Sequence, residues 1–545
     1  MKKGLIMLAC VVTFFAATAV SAGAVVNETV KVGLRFGSSA LFSANLENAV
    51  GEGYEFGWFD EQREFQSLGW TEETAISMTA AGTIYVDDSG NYSSGSGGDR
   101  MGPWHIQLDA RYEDYDEAAD AAAETDGWPA WIDGEYAVRL GCYESKSEAE
   151  EAASDLGVDG MAVKSSSDGI LVTRTRTRKI LFEFDWGGEE SLGVLPQARR
   201  QEALTWFKGY KYKGGFEYVR PDGGNLRVIN VVGLEDYVKG VVPYEMNGDW
   251  PLAALEAQAV CARTFACRTT KHMSLYGFDV CAGTDCQVYN GVNTATELSD
   301  EAVDNTAGEC LYYDGELIEA VYHSSNGGAT EDAENVWGGD VPYLQGKEDP
   351  YEADIAIPNY RWSVTYTADQ LTWILQQKNY SIGRVEDVYV SAYTAQGNVA
   401  AVTFADSGGK TLTVKGDTAR GIFYSSTYGK SVRSMRFDIN GGSGGFYVNG
   451  TSGRLDTLLG AAVIAAGGAK STLPEGGWYA VTADGEVQLS GTGGKSSASG
   501  DSFTITGMGS GHNVGLSQYG ARAMAENGCN YEEILEFYYT DITIE

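Results

Sequence analysis

Apolar and polar residues alternate with a period of two near the start of the chain, which is the pattern of a half-buried β-strand. Val30, Val32, Leu34 and Phe36 share one such face. Similar short segments, separated by turn residues, continue to about residue 110. The pattern predicts a small β-rich domain over residues 27–110, and it assigns no role to that domain.

The period changes farther along the chain. Alternating apolar residues predict a strand from Tyr136, and Ser147 and Glu150 then form a capping-box signature ahead of apolar residues at helical spacing. A second strand-like segment follows from Ile170. Together these elements predict a small α+β module over residues 130–180.

The rest of the chain, residues 194–545, contains both the two-residue period of strands and the 3.6-residue period of helices. A long helix is predicted from about Trp250 to Thr270, with Asp249 as its N-cap. Residues 438–501 are rich in Gly, Ser and Ala and interrupt the pattern, which indicates an insertion. The fold class predicted for the whole chain is α+β, divided into several domains.

The first 24 residues have the composition of a signal peptide. Lys2 and Lys3 precede a mostly apolar run, and small residues follow that run up to Ala24. We expect cleavage in this segment, so that the mature protein is secreted, lies outside the cytoplasm and keeps no integral membrane span. Failure to cleave would instead leave an N-terminal anchor.

Composition narrows the classes of function. The chain has 545 residues, with 39 Lys and Arg against 76 Asp and Glu, and its formal net charge is −37. Such an acidic chain is a poor candidate for a nucleic-acid partner, because neutralising phosphate charge dominates that affinity. Gly (70), Tyr (32) and Trp (12) are abundant while Pro (10) is not. Turn-rich β structure with exposed aromatic rings suits a carbohydrate ligand best.

Glu245 is the first candidate for chemistry. It is predicted to lie in the joint between two helical segments, beside Tyr244, Met246 and Trp250. Partial desolvation there would raise the pKa of its carboxyl group, as a general acid at neutral pH requires. From spacing alone, an exposed glutamate in a turn accounts for the same pattern.

Four motifs, in order along residues 241–521, resemble the SpoIID/LytB family, the group of stage II sporulation protein D. The matching segments are Val241–Met246 with Leu255–Phe265, Asp285–Tyr289, Tyr322–Gly328 with Thr330–Trp337 and Val341–Leu344, and Gly507–Ala521. The sequence departs from the family pattern at Ser510, where an aromatic residue is usual, at Asn513 for Gly and at Leu516 for Met. None of these departures removes an ionisable group.

The resemblance implies a lytic transglycosylase that cuts denuded peptidoglycan between N-acetylmuramic acid and N-acetylglucosamine, with Glu245 as its catalytic residue. It implies that peptidoglycan glycan strands are bound by further motif residues. These are Tyr244, Arg263, Gln287, His323, Ser324, His512, Ser517, Gln518 and Tyr519. Two alternatives are a non-enzymatic activator of a cell-wall amidase, a role associated with the LytB side of the family, and a zinc-dependent hydrolase.

A metal site is a separate prediction. Cys281 and Cys286 follow His272 in a short, turn-rich stretch, and two thiolates with an imidazole suit zinc. Some members of the resembled family carry zinc at this place. A disulfide between the two cysteines and free thiols are the alternatives. We expect any zinc to be structural, because Glu245 already accounts for the reaction.

The module over residues 130–180 resembles a SPOR domain, through the segments Tyr136–Tyr143 and Ser145–Glu150. That family is a small α+β module that binds peptidoglycan glycan strands stripped of their stem peptides. The resemblance implies a second glycan-binding element in the chain.

Overall fold

The computed structural model describes residues 28–439 and 502–545, apart from positions 96 and 269, and only the backbone of short strands between residues 446 and 489. The predicted signal peptide, residues 1–24, lies outside the described residues, as does most of the predicted insertion over 438–501. Within the described part helices and strands are mixed, in agreement with the predicted α+β class.

Helix α4 (Leu252–Ala266) is the central helix of the described residues, because it packs against the four helices Leu234–Glu245, Glu297–Asn305, Gln518–Glu526 and Tyr531–Tyr538. It begins at Leu252 with Pro251 as its N-cap, so the predicted N-cap, Asp249, is wrong. Asp249 lies instead in the turn that Asn247 closes with Trp250. The described helices are α1 (Tyr115–Glu124), α2 (Lys146–Leu156), α3 (Leu234–Glu245), α4 (Leu252–Ala266), α5 (Lys271–Tyr276), α6 (Glu297–Asn305), α7 (Ala333–Trp337), α8 (Ala368–Gln377), α9 (Asp417–Gly421), α10 (Gln518–Glu526) and α11 (Tyr531–Tyr538).

The two largest sheets have seven and ten strands. The first has seven strands, in the order Val280–Cys281, Thr29–Arg35, Arg227–Gly233, Gly215–Val219, Leu192–Pro196, Tyr54–Phe59 and Phe65–Thr71. The second has ten strands, in the order Gly160–Lys164, Trp104–Leu108, Glu135–Tyr143, Trp128–Ile132, Ile180–Asp185, Ile170–Arg174, Ala75–Ala80, Ser43–Val50, Leu204–Phe207 and Tyr210–Tyr212.

Small ladders complete the first part of the molecule. They are Tyr92–Ser93, Ile84–Val86 and Asp99–Met101 in one sheet, Glu316–Leu317, Leu311–Tyr313 and Thr543–Ile544 in another, and the parallel pair Tyr322–His323 with Leu516–Ser517.

The strands predicted as a separate domain over residues 27–110 are part of the main body. Strand Thr29–Arg35 pairs with Arg227–Gly233 on one side and with Val280–Cys281 on the other. One hydrophobic core joins buried residues of both large sheets to helices α3, α4 and α10. The predicted boundary failed because the alternation shows that strands exist, while their partners lie about 200 residues away in sequence.

A split β-α-β unit occupies residues 104–164, and it differs in its bounds from the module predicted over residues 130–180. Its elements run strand, α1, strand, strand, α2, strand, with the strands arranged in the order fourth, first, third, second. Both helices pack on one face of this sheet. The first strand and α1 precede the predicted start, and the strand Ile170–Arg174 belongs to the next part of the sheet.

Residues 361–439 and 502–508 form a second lobe with its own core. Strand Arg361–Thr367 leaves the main body and pairs antiparallel along its whole length with the returning strand Ser502–Met508. In the sequence, the predicted insertion over 438–501 lies between these two paired strands, and most of it is outside the described residues. The other described strands of this lobe are Val385–Tyr393, Val399–Asp406, Thr411–Lys415 and Phe437–Ile439. Three separate backbone pairs are described between residues 446 and 489: Phe446–Tyr447 with Arg454–Leu455, Ala462–Ile464 with Lys470–Thr472, and Trp478–Thr482 with Gly485–Leu489.

No helix in the part of the chain that the structure describes has the length and apolar composition needed to cross a membrane.

Candidate active site and metal centre

Glu245 is the last residue of α3. The helix stops there because Met246 turns into an extended conformation, with φ −122° and ψ 154°. Buried Tyr237, Val241 and Val242 fix the helix against the core, so the position of its end is well determined. The carboxyl group therefore lies at the negative end of a helix dipole, which opposes its ionisation.

Three hydrogen-bond donors surround the Glu245 carboxyl group. The backbone N–H of Val288 lies 2.8 Å from Oε1, and the side chains of Tyr322 and Gln518 also hydrogen-bond to it. Burial is the largest influence and raises the pKa of Glu245, while the three hydrogen bonds act in the opposite direction and are weaker. The net effect favours a protonated carboxyl group to a higher pH than is usual for glutamate.

A chain of hydrogen bonds orients the Tyr322 hydroxyl toward Glu245. The hydroxyl of Tyr237 donates to Gln287 Oε1 at 2.9 Å, which turns the Gln287 amide so that Nε2 donates to the Tyr322 oxygen at 3.2 Å. The Tyr322 proton is then free to point at the carboxyl group. Gln287 is only 1% exposed, so the prediction that it contacts substrate is wrong; it positions Tyr322.

Gln518 is held by a similar arrangement. Its Nε2 donates to Gln258 Oε1 at 3.2 Å, and Gln258 lies fully buried in the middle of α4. The central helix thus fixes the third donor to Glu245. Gln518 is largely buried too, so its role in this structure is to hold the carboxyl group.

Partly exposed side chains predicted as sugar contacts flank this arrangement. The rings of Tyr519 and Trp250 lie 4.9 Å apart, and the Tyr519 N–H donates to the Ser324 carbonyl at 3.0 Å. Tyr244, next to Glu245, donates its hydroxyl to the Asn290 carbonyl at 3.1 Å. Their half-exposed aromatic faces suit the apolar faces of a sugar ring.

Arg263, predicted to contact substrate, is placed elsewhere. Its side chain is fully buried, and its Nε and Nη2 donate to the two carboxylate oxygens of Glu235 at 2.8 and 2.7 Å. Nη1 donates to the Glu309 carbonyl at 3.0 Å. The prediction is therefore wrong, because the planar guanidinium ties α4 to its neighbours and has no access to a ligand.

Glu352 is a buried carboxylate that joins two motif segments. It accepts hydrogen bonds from the Ser325 hydroxyl at 2.8 Å, the Asn326 N–H at 2.7 Å, the Gly327 N–H at 3.0 Å and the Ser517 hydroxyl at 2.6 Å. Ser517 is fully buried and also caps α10, so it is not the substrate contact that was predicted. Sequence reasoning missed Glu352 because it lies outside the four family motifs.

The two motif histidines face away from the hydroxyl of Tyr322. His323 follows Tyr322 on an extended strand, so the two side chains point in opposite directions. His323 Nδ1 lies 3.1 Å from the Val514 carbonyl, and His512 Nε2 lies 3.0 Å from the Tyr322 carbonyl. Burial lowers the pKa of His323 well below its usual range and that of His512 to about 4, so both are neutral at pH 7. Their contacts support the loop, and His323 is too buried to reach a sugar.

Asn513 shows how the C-terminal motif keeps its shape despite departing from the family pattern. Its φ is 68°, in the left-handed region that favours glycine and that asparagine tolerates best among other residues. Its Nδ2 also donates to the Asn326 carbonyl at 2.8 Å and to Asn398 Oδ1 of the second lobe at 3.3 Å. The asparagine thus adopts the backbone of the usual glycine and adds a tie between the lobes.

His272, Cys281 and Cys286 come together as the sequence predicted. One ligand atom from each lies within 4.8 Å of the other two. The hydrogen bond with Cys286 is the main cause that lowers the pKa of Cys281 to about 6, which favours a thiolate at neutral pH. Both cysteines are free thiols in the structure.

The imidazole of His272 is buried and available to a metal. It stacks on Phe278 with ring centroids 5.3 Å apart, and neither ring nitrogen makes a well-directed hydrogen bond. Its Nε2 lies 3.1 Å from Asp285 Oδ2, a short contact off the direction of a hydrogen bond. Two sulfurs, one nitrogen and a nearby carboxylate oxygen fit the tetrahedral preference of zinc.

The candidate metal ligands are close in sequence to residues that contact the candidate catalytic group. Cys286 precedes Gln287, which orients Tyr322, and Val288, which binds Glu245. Cys281 lies on the strand that pairs with Gly33 of the N-terminal strand. A metal here would fix the loop that carries one donor and positions another, without contacting the carboxyl group itself.

Tyr322, Gln258 and Tyr237 are residues of the candidate site that sequence reasoning missed. Tyr322 starts one of the four family motifs, so a signal for it existed. Gln258 also lies in a family motif, within Leu255–Phe265, but Gln258 and Tyr237 both occupy helix positions that resemble ordinary core positions, and their contacts are seen in three dimensions.

Comparison with known proteins places these residues in a family context. A family model described as SpoIID, stage II sporulation protein, matches residues 222–313. An uncharacterized protein of Brachyspira hyodysenteriae is 31% identical over 348 residues, which cover 63% of this chain and 74% of that protein. The stage II sporulation protein D of Bacillus subtilis is 28% identical over 323 residues, 56% of this chain and 72% of that protein.

A third relative is the amidase enhancer of Bacillus subtilis, which is 32% identical over 336 residues. The match covers 56% of this chain and only 40% of the amidase enhancer.

We expect the purified protein to hold about one zinc ion per chain, since the three candidate ligands form a single cluster. Changing Cys286→Ser should abolish retention of zinc after dialysis, measured by elemental analysis. Cys267→Ser, at a half-buried cysteine outside the cluster, is the matched control and should retain the metal. A metal-free protein that takes up no added zinc, or one whose Cys281 and Cys286 are joined in a disulfide by peptide mass spectrometry, contradicts the assignment.

Proposed function

Because this chain belongs to the stage II sporulation protein D (SpoIID) family, we propose that it is an exported peptidoglycan lytic transglycosylase that acts on denuded glycan strands. Membership of this family gives the chain a role related to the cell wall. The finer proposal names the bond, between N-acetylmuramic acid and N-acetylglucosamine, and the products, which carry 1,6-anhydro ends.

The observation that carries the proposal is the environment of Glu245. Its pKa is raised by burial, and its carboxyl group is oriented by the Val288 N–H, the Tyr322 hydroxyl and Gln518. A raised pKa supplies a proton donor at neutral pH, and fixed donors keep the carboxyl group in one orientation for reaction.

The first step is proton donation. Glu245 transfers its proton to the glycosidic oxygen while the bond from that oxygen to C1 of N-acetylmuramic acid breaks. The leaving N-acetylglucosamine keeps the proton as a hydroxyl group, and the muramic ring becomes an oxocarbenium-like species. The new Glu245 carboxylate is stabilised by the same three donors, whose hydrogen bonds favour the charged form.

The second step closes a ring. The Glu245 carboxylate removes the proton from the C6 hydroxyl of the same muramic residue, and O6 bonds to C1. The carboxyl group is protonated again, no water is consumed, and the enzyme is ready for another turnover. One carboxyl group serves both steps, in contrast to glycoside hydrolases that need a pair. Among the residues that the structure describes, no second carboxylate influences the pKa of Glu245.

Zinc bound by His272, Cys281 and Cys286 is proposed as a structural ion. Bound zinc would supply rigid coordination of the loop that ends at Val288. The split β-α-β unit over residues 104–164 is proposed to bind glycan strands, as its resemblance to a SPOR domain implies. The zinc ion would help to position Glu245, and the split β-α-β unit would hold the glycan strand.

A second candidate function is enhancement of a cell-wall amidase. One relative that shares 32% identity is named an amidase enhancer. In that case the cleft would bind glycan without cleaving it, and an amidase would be the partner. A non-enzymatic enhancer does not require a proton donor, so the raised pKa of Glu245 favours the transglycosylase, and we place the enhancer function second.

Glu245→Gln should abolish the formation of anhydromuramic ends, because the amide cannot donate and regain the proton. Purified protein is incubated with denuded glycan strands, and the products are identified by mass spectrometry. Asp249→Asn is the matched control, since Asp249 is an exposed carboxylate four residues away and should be dispensable.

Three other outcomes would contradict the proposal. Full activity of Glu245→Gln would eliminate the proposed acid. Loss of activity that follows zinc removal but ignores Glu245 would favour a zinc hydrolase. An absence of glycan products, with faster release of stem peptides when an amidase is added, would favour the enhancer role.

Tyr322→Phe should shift the alkaline limb of the pH–rate profile to higher pH. The Tyr322 hydroxyl lowers the pKa of Glu245, so its removal raises that pKa further and keeps the acid protonated at higher pH. The rate at the optimum should fall by about tenfold, because the carboxylate loses one of its donors. Tyr531→Phe, whose hydroxyl binds Glu309 instead, should leave the limb unchanged. An unshifted limb in Tyr322→Phe would remove Tyr322 from the mechanism.

A further inference from the structure

A cavity of about 230 Å³ opens in the N-terminal part of the molecule, away from the groups that hold Glu245. It lies where four strands of the two large sheets end: Ile170–Arg174, Ile180–Asp185, Leu192–Pro196 and Gly215–Val219. None of the residues that contact the Glu245 carboxyl group lines it. The cavity also lies outside the split β-α-β unit over residues 104–164.

One wall of the cavity is aromatic. Phe184, Trp186 and Tyr218 line it, and Trp186 is half-buried. The Trp186 ring is held edge-on against Trp58 and Trp131, with ring centroids 5.1 and 5.6 Å apart. Contacts on two sides fix the indole before any ligand arrives, so little conformational entropy is lost on binding.

The rim of the cavity is polar and negatively charged. Asp168, Glu190 and Asp222 supply three carboxylates, and Ser191 adds a hydroxyl group. The one cation in the lining, Arg220, is occupied by protein. Its guanidinium donates to the carbonyls of Ala81, Gly169, Gly223 and Gly224 at 2.8 to 3.2 Å. The cavity therefore offers acceptors and repels an anion.

We propose that this cavity binds an uncharged N-acetylated amino sugar, the N-acetylglucosamine unit of a glycan strand. An indole face packs on the C–H groups of a sugar ring, and carboxylates accept hydrogen bonds from its hydroxyl groups. The volume is below the roughly 300–1,000 Å³ of pockets for drug-sized ligands, so it suits a single ring.

The negative charge of the cavity rim discriminates between the two sugars of the glycan strand. N-acetylmuramic acid carries a lactyl carboxylate, which three rim carboxylates repel, whereas N-acetylglucosamine carries no charge. The inference rests on the proposed glycan substrate and extends it. A strand held at this cavity stays near the main body, which raises its effective concentration at the cleft.

The test measures binding without turnover, in protein that carries Glu245→Gln. The probe is the tetramer of N-acetylglucosamine, titrated by calorimetry. Adding Trp186→Ala should weaken binding of the tetramer at the cavity by about tenfold, because the aromatic wall is lost. Trp70→Ala is the matched control, since Trp70 is 48% exposed and does not line the cavity.

A second variant guards against a folding defect in Trp186→Ala. Asp222 has φ 50°, a conformation that asparagine also tolerates, so Asp222→Asn removes one carboxylate and keeps the turn. It should weaken tetramer binding about threefold, since a charged acceptor is replaced by a neutral one. N-acetylmuramic acid should bind more tightly to the Asp222→Asn protein than to the protein that keeps Asp222.

The proposal is overturned if the Trp186→Ala protein, shown to be folded by its thermal unfolding transition, binds the tetramer as tightly as the Trp70→Ala protein. It is also overturned if the protein that carries Glu245→Gln alone shows no saturable binding. It is also overturned if N-acetylmuramic acid competes as well as N-acetylglucosamine. Because no cleavage is measured, failure of the transglycosylase proposal leaves this result readable. Equally, loss of the cavity site leaves the test on Glu245 intact.

Discussion

The hydrogen bond from the Val288 N–H to the Glu245 carboxyl group is the contact on which the candidate site depends. A carboxyl group at the buried end of a helix resists ionisation, and it needs donors in fixed positions when its proton leaves. Val288, Tyr322 and Gln518 meet that need from three different parts of the chain. The fold is therefore best understood as the means of bringing those three segments to the end of α3.

Each donor is held by its own support. Gln287 and Val288 directly follow Cys286. The candidate metal ligands and the N-terminal strand beside Cys281 therefore help to position the donors around the Glu245 carboxyl group. Gln258 in the central helix fixes Gln518. Glu352 joins the segment that follows Tyr322 to the start of α10. The second lobe is fastened to the same region, since the Trp362 indole donates to the Gly509 carbonyl at 2.9 Å.

The sequence predicted the groups with distinctive chemistry better than the groups that support them. His272, Cys281 and Cys286 were predictable as a cluster, because two thiols and an imidazole within one short stretch form a distinctive set of metal ligands. Arg263, Gln287 and Ser517 share the motifs with Glu245, but a motif does not distinguish a ligand contact from a buried support. The fold class was predictable from periodicity. The pairing of Thr29–Arg35 with Arg227–Gly233 was not, because register over such a separation depends on the assembled core.

In the proposed reaction Glu245 promotes closure of an intramolecular ring, and water takes no part. Incubating denuded glycan strands in ¹⁸O-labelled water tests this most directly. We predict products whose muramic ends contain no ¹⁸O and are lighter by one water than hydrolysed ends. Muramic ends that contain one ¹⁸O atom would contradict it, because they would show that water attacked C1.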